Sequence, residues 1–76
     1  MEKIIEILKS IRSDVDYEAE KGLIDNGILD SFDIVSVIGE LSDAFEIDIS
    51  IDDMTPENFN SVEAIHALVE RLLDEA

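Results

Sequence analysis

Three stretches of the chain repeat apolar residues at helical spacing. Ile4, Ile5, Leu8, Ile11 and Val15 recur largely at steps of three and four, which predicts an amphipathic helix over the first dozen residues. It is expected to end near "RSDVD", where the short polar side chains of Ser13, Asp14 and Asp16 compete with the helical backbone. Ile34, Val35, Ile38, Leu41 and Phe45 supply the buried stripe of a second helix, beginning at Asp30 or Ser31. Gly39 sits inside it at a cost of roughly 1 kcal/mol relative to alanine, so either a neighbour comes close there or the face is meant to stay smooth. Val62, Ile65, Val69 and Leu72 form the inner stripe of a last helix.

The segments between them carry different signals. "YEAEKGLIDNGILD" has glycines at 22 and 27 and an Asn-Gly turn at 26 and 27, so it reads as a long loop, pinned to the core by Leu23, Ile24, Ile28 and Leu29. "EIDISIDDM" alternates apolar and acidic residues like a strand, but the chain offers it no partner strand. An extended connector with Ile47, Ile49 and Ile51 packed inward is the expectation. In "TPENF" Thr55 is placed to cap and Pro56 to open a short helix. Asn60 or Ser61 then caps the last helix, with Glu63 in capping-box register to Asn60. The sum is an all-α bundle of three longer helices and one short one.

With 76 residues the chain is expected to form one domain, residues 1–76, with little room for a deep enzyme cleft. It has no cysteine, which excludes disulfides, thiolate metal sites and a cysteine nucleophile. No apolar run reaches the length of a signal peptide or a membrane span, so a cytoplasmic protein without membrane insertion is expected. Charge changes the picture most. Twenty acidic residues against five basic ones give a formal net charge of −15, and no Lys or Arg stands between Gly22 and Glu70. Such a surface repels nucleic acid and anionic lipid and steers basic proteins toward itself. A hydrophobic content of 46% argues against disorder all the same.

Most candidate chemistry fails on its spacing. "DVDYEAEKGLID" has acids at the first, third and fifth positions of a calcium loop, but Ala19 stands at the sixth, where the turn requires Gly, and Asp25 at the twelfth, where Glu belongs. A second frame, from Asp48, puts Phe59 at the twelfth position. His66 is the only histidine and, without a second ligand nearby, reads as a surface or boundary residue. Ser31 and His66 do not sit in a nucleophile-elbow pattern. Asp52 and Asp53 read as solvated acids. No metal site and no catalytic set is expected.

Ser31 remains. A serine between Asp30 and Phe32 at a helix start is able simply to cap the helix, as is Asp30 beside it. Equally, a hydroxyl at a helix N-terminus is placed to carry a phosphate, whose charge the helix dipole and free amides stabilise. Periodicity and spacing leave both readings open.

The stretch "GILDSFDIVSVIGELSDAFEIDIS" resembles the attachment region of acyl and peptidyl carrier proteins, and the likeness extends over nearly the whole chain: the amphipathic first helix, the long loop, the short Pro-started helix and the capped last helix. The resemblance implies an acyl-carrier-like four-helix bundle that is not an enzyme. It implies that a phosphopantetheinyl transferase moves 4'-phosphopantetheine from coenzyme A onto Ser31, making a phosphodiester. The arm then holds cargo as a thioester. Asp30 is expected to help present Ser31, and Phe32 to lie beside the arm as the apolar residue of the motif.

By the same resemblance the partners are that transferase, an adenylating acyl or aminoacyl ligase, and a downstream acyltransferase or synthase, docking a monomeric carrier on its acidic second helix. Two departures narrow the expectation. Phe32 replaces the commoner Leu, and "LDSF" is similar to D-alanyl carriers and other stand-alone carriers. Ser36, Gly39 and Ser42 stand where fatty-acid carriers present acidic or bulky apolar side chains. A specialised stand-alone carrier loaded by its own ligase is expected, with a D-alanyl carrier for cell-envelope modification, or an unmodified acidic interaction module of the same fold, as the alternatives.

Overall fold

Ile4, Ile7 and Leu8 form the inner edge of α1, Glu2–Ile11, in the computed structural model of the protein, which describes residues 2–75 and, at Ile51, the backbone alone. Ile5 and Ile11, expected in this stripe, are half-buried along its margin. Ile7 joins the stripe because positions 4, 7, 8 and 11 share one side of a helix with 3.6 residues per turn. Glu2 in the first turn and Lys9 in the last both suit the helix dipole.

Helix α2, Ser31–Phe45, turns Ile34, Val37 and Leu41 into the core, with Ile38 and Phe45 half-buried beside them. Val35 was expected in that stripe and is instead 60% exposed. One residue past Ile34 is a rotation of about 100°, and Val37 holds the inward position. A side chain at Gly39 would meet nothing within 4 Å, so the glycine keeps an exposed face smooth and does not admit a neighbour. The helix ends at Glu46, whose backbone is left-handed at φ 54°, with the amides of Glu46 and Ile47 both donating to the Ser42 carbonyl.

The connector after α2 has no regular secondary structure through Ser50 and closes in a single 3₁₀ turn, Ile51–Asp53. Ile49 is buried and Ile47 half-buried, as expected; the side chain of Ile51 lies outside the described residues. Pro56 opens α3, Pro56–Phe59, and Phe59 anchors it in the core. Thr55 has the extended backbone of a cap but makes no capping hydrogen bond with its side chain. In α4, Val62–Glu75, the cap is Ser61, whose Oγ accepts from the Ala64 amide at 3.1 Å. The expected Asn60–Glu63 capping box does not form. Asn60 is engaged with the long loop and Glu63 with Lys21. Leu68 joins Val62, Ile65 and Val69 on the buried face of α4, and Leu72 is half-buried.

Helix α1 packs against α2 and α4, α2 also meets α4, and α3 lies on α4. The described residues contain helices and no strand, the all-α bundle of three longer helices and one short one that the periodicity predicts. Among them no helix is long and apolar enough to cross a membrane.

Candidate functional site

The long loop before α2 is held at several points, and each bears on where α2 begins. Tyr17 is 1% exposed, and its hydroxyl donates to the carbonyls of Leu8 at 3.1 Å and Arg12 at 2.7 Å. Burial, and then the charge of Asp14, hold its pKa above the ordinary tyrosine value. Asn60 accepts from the amides of Ile24 and Asp25, both at 3.0 Å, and its carbonyl accepts from the Leu23 amide at 2.8 Å. Lys21 pairs with Glu63. Gly27 takes φ +69° in the Asn-Gly turn, a conformation glycine adopts without strain. Leu29 then donates to the Leu23 carbonyl at 2.9 Å and is buried, which delivers Asp30 to the head of α2.

At that head the two readings of Ser31 separate. Asp30 is the cap: its Oδ1 accepts from the Asp33 amide at 2.9 Å, and Asp33 Oδ2 accepts from the Asp30 amide at 3.3 Å. Ser31 occupies the first helical position, exposed, and among the described residues its hydroxyl makes no hydrogen bond. The amides of Ser31 and Phe32 have no intrahelical partners, as at any helix start. Arg12 Nε donates to Asp33 Oδ2 at 3.2 Å. The hydrogen bond and charge of Asp33 hold the guanidinium pKa above its ordinary value, and Asp14 and Asp30 add to this. Phe32 is 86% exposed and points to solvent beside Ser31.

A groove of about 330 Å³ opens beside the serine. Ile24, Leu29, Ile34, Met54 and Phe59 make its apolar walls, and Asp30, Ser31 and Thr55 its polar edge. An unengaged hydroxyl, free helix-start amides and an adjoining apolar groove fit a phosphate-linked arm carried on Ser31. Asp30 and Asp33 oppose its charge in part, and the guanidinium of Arg12 offsets them.

The α2 surface carries acids and no Lys or Arg. It holds three acids, Asp33, Glu40 and Asp43, and the first is paired with Arg12. Its outward residues include Phe32, Val35 and Gly39, which make an apolar, smooth strip.

The remaining candidates are not drawn together. His66 lines a different groove, with Lys3, Ile4 and Phe45, and its Nε2 lies 3.0 Å from Glu70 Oε1, so Ser31 and His66 form no pair. Asp53 accepts from Ser50 and Arg71 and braces the 3₁₀ turn against α4. Among the described residues no cluster of three or more His, Asp or Glu side chains is arranged to hold a metal. Sequence reasoning missed Arg12, Asp33, Tyr17 and Met54 as neighbours of the site. The one available signal was an aspartate three residues after Asp30, in capping-box register but with Asp in place of the usual Glu or Gln.

The chain is 32% identical over 76 residues to the D-alanyl carrier protein of Lactococcus lactis subsp. cremoris strain MG1363, covering 97% of this chain and 96% of that one. It has the same identity and coverage against the D-alanyl carrier protein of strain SK11. No protein-family profile matches the chain, and no solved structure matches it.

Proposed function

The chain belongs to the stand-alone carrier proteins of the phosphopantetheine-binding type, which are not enzymes, and we propose that Ser31 is its attachment residue. The observation that carries this reading is the division of labour at the head of α2: Asp30 caps the helix, which leaves the Ser31 hydroxyl exposed and without a partner. A transferase joins this oxygen to the phosphorus of coenzyme A that bears the pantetheine. The serine proton leaves, one O–P bond forms, the P–O bond of the coenzyme A pyrophosphate breaks, and adenosine 3',5'-bisphosphate departs with the bonding electron pair. The arm, once attached, supplies a thiol that holds cargo as a thioester.

The protein's own residues have three tasks in this scheme. Asp30 and Asp33 hold the first turn so that Ser31 faces the transferase. Phe32 and Val35 provide apolar contact for partners on the outer face of α2, and Glu40 and Asp43 provide charge. The groove bounded by Ile34, Met54 and Phe59 shelters apolar parts of the arm or cargo. Residues 1–76 act as one carrier domain, monomeric and cytoplasmic, loaded by an adenylating ligase and emptied by a downstream acyltransferase or synthase.

For the cargo we favour D-alanine over other acyl or aminoacyl groups, because both relatives carry the name D-alanyl carrier protein. The test is intact mass before and after incubation with coenzyme A and a broad-specificity phosphopantetheinyl transferase, with Ser31→Ala alongside. The wild type should gain one phosphopantetheine unit and the variant none. A wild type that stays unmodified while a control carrier is converted would bring forward an unmodified acidic interaction module. Incubating the modified protein with ATP, D-alanine and a D-alanine-activating ligase should add one alanyl group; loading by a fatty acid instead would reject the cargo.

A further inference from the structure

We infer that Arg12 is a positioning residue for the modification of Ser31, acting through Asp33. The inference rests on the carrier reading of Ser31. Asp33 Oδ2 is shared: it accepts from Arg12 Nε at 3.2 Å and from the Asp30 amide at 3.3 Å, while the Asp33 amide donates to Asp30 Oδ1 at 2.9 Å. One oxygen therefore joins the segment after α1 to the two residues that frame the serine. The Asp33 side chain is 18% exposed and that of Arg12 42%, so solvent only partly screens the pair. The backbone of Arg12 is itself fixed, since its carbonyl accepts from the buried Tyr17 hydroxyl and its amide donates to the Leu8 carbonyl at 2.8 Å.

Charge makes this link matter. Ser31 must receive a phosphodiester from an anionic donor, yet Asp30 and Asp33 flank it in a chain of net charge −15. Arg12 lies close enough to interact with Asp14, Asp30 and Asp33. Lys21 and Arg71 are engaged with Glu63 and Asp53. Removing the guanidinium leaves Asp33 uncompensated and held only by the Asp30 amide, so the first turn loses a restraint and the incoming phosphate meets one more unpaired carboxylate. No alternation or motif in the sequence marks Arg12 for this role.

The test compares kcat/KM for modification by the same transferase, with coenzyme A, for the wild type, Arg12→Met, Arg12→Lys, Asp33→Asn and the double variant Arg12→Met/Asp33→Asn. Arg12→Met should lower kcat/KM about three- to fivefold, the scale of a partly exposed ion pair. Arg12→Lys should recover most of that loss, and the deficit of Arg12→Met should shrink as salt rises. In the Asp33→Asn background, where the amide oxygen still accepts from Asp30 but the charge is gone, removing Arg12 should have no further effect. The Asp33→Asn pair also reads the inference if Arg12→Met alone proves too unstable. An unchanged rate for Arg12→Met, a loss that Arg12→Lys does not recover, or an equal loss with Asn at position 33 would overturn the inference while leaving the carrier reading intact. A wild type that is not modified overturns both.

Discussion

Asp30 and Asp33 cap each other across Ser31. Each carboxylate accepts from the other's amide, at 2.9 and 3.3 Å, and the serine between them takes no part. The cap and the candidate attachment residue are therefore separable. Asp30→Ala should lower the free energy of unfolding by about 1 kcal/mol, whereas Ser31→Ala should change it by less than about 0.5 kcal/mol. Urea unfolding of both variants checks this; an equal loss for Ser31→Ala would put its hydroxyl in the cap.

Tyr17 carries the junction between α1 and the long loop. Replacing it with Phe leaves the Arg12 carbonyl without its donor and the Leu8 carbonyl with the Arg12 amide alone, at an expected cost of about 1–3 kcal/mol. The raised pKa of this tyrosine has a pH signature. Its contribution is fully present below the unfolded value of about 10 and is lost as pH rises through the higher folded value. Urea midpoints between neutral pH and pH 11 should fall more steeply at the alkaline end for the wild type than for Tyr17→Phe. Parallel profiles would mean that the phenol ionises without regard to folding.

Lys21 and Glu63 tie the loop to α4, and hydrogen bonding from Lys21 holds the Glu63 pKa below its ordinary value. A lowered carboxylate pKa adds stability above the unfolded value, and that stability is lost as pH falls through the folded one. Carboxyl NMR titration should therefore find Glu63 below the ordinary glutamate value, and closer to that value in Lys21→Met. If the titration of Glu63 is the same in both proteins, the pair does not persist in solution.

Glu46 ends α2 in the left-handed region, at φ 54°. A side chain there costs more than glycine does, so Glu46→Gly should stabilise the protein by about 0.5–1 kcal/mol. Glu46→Gln separates backbone from charge, because it removes one carboxylate and keeps the side chain. Thermal melting should rank Gly above Gln; equal gains would assign the effect to charge alone.

Much of this protein follows from residue order. The helices at 2–11, 31–45 and 62–75 are written in the spacing of Ile, Leu and Val, because a helix with one wet face must repeat its apolar residues every three or four positions. Pro56 announces the short helix, and Asn26-Gly27 the turn, through backbone constraints that act within a few residues. The candidate attachment motif at Ser31 was legible for the same reason. It is local.

Tertiary structure decided what local rules leave open. Val35 and Val37 have similar hydropathy, and only the packing of α2 against α1 and α4 turned one outward and the other inward. Asn60, a good cap by composition, became the acceptor for Ile24 and Asp25, because the fold brought the two amides of a loop about 35 residues away within reach of its side chain. Arg12 reached Asp33, 21 residues on, only because α1 lies beside α2. Hydropathy and turn chemistry act over a few residues and so can be read in order along the chain. Hydrogen bonds and ion pairs between distant residues depend on where the folded backbone brings their donors and acceptors, and no spacing records that.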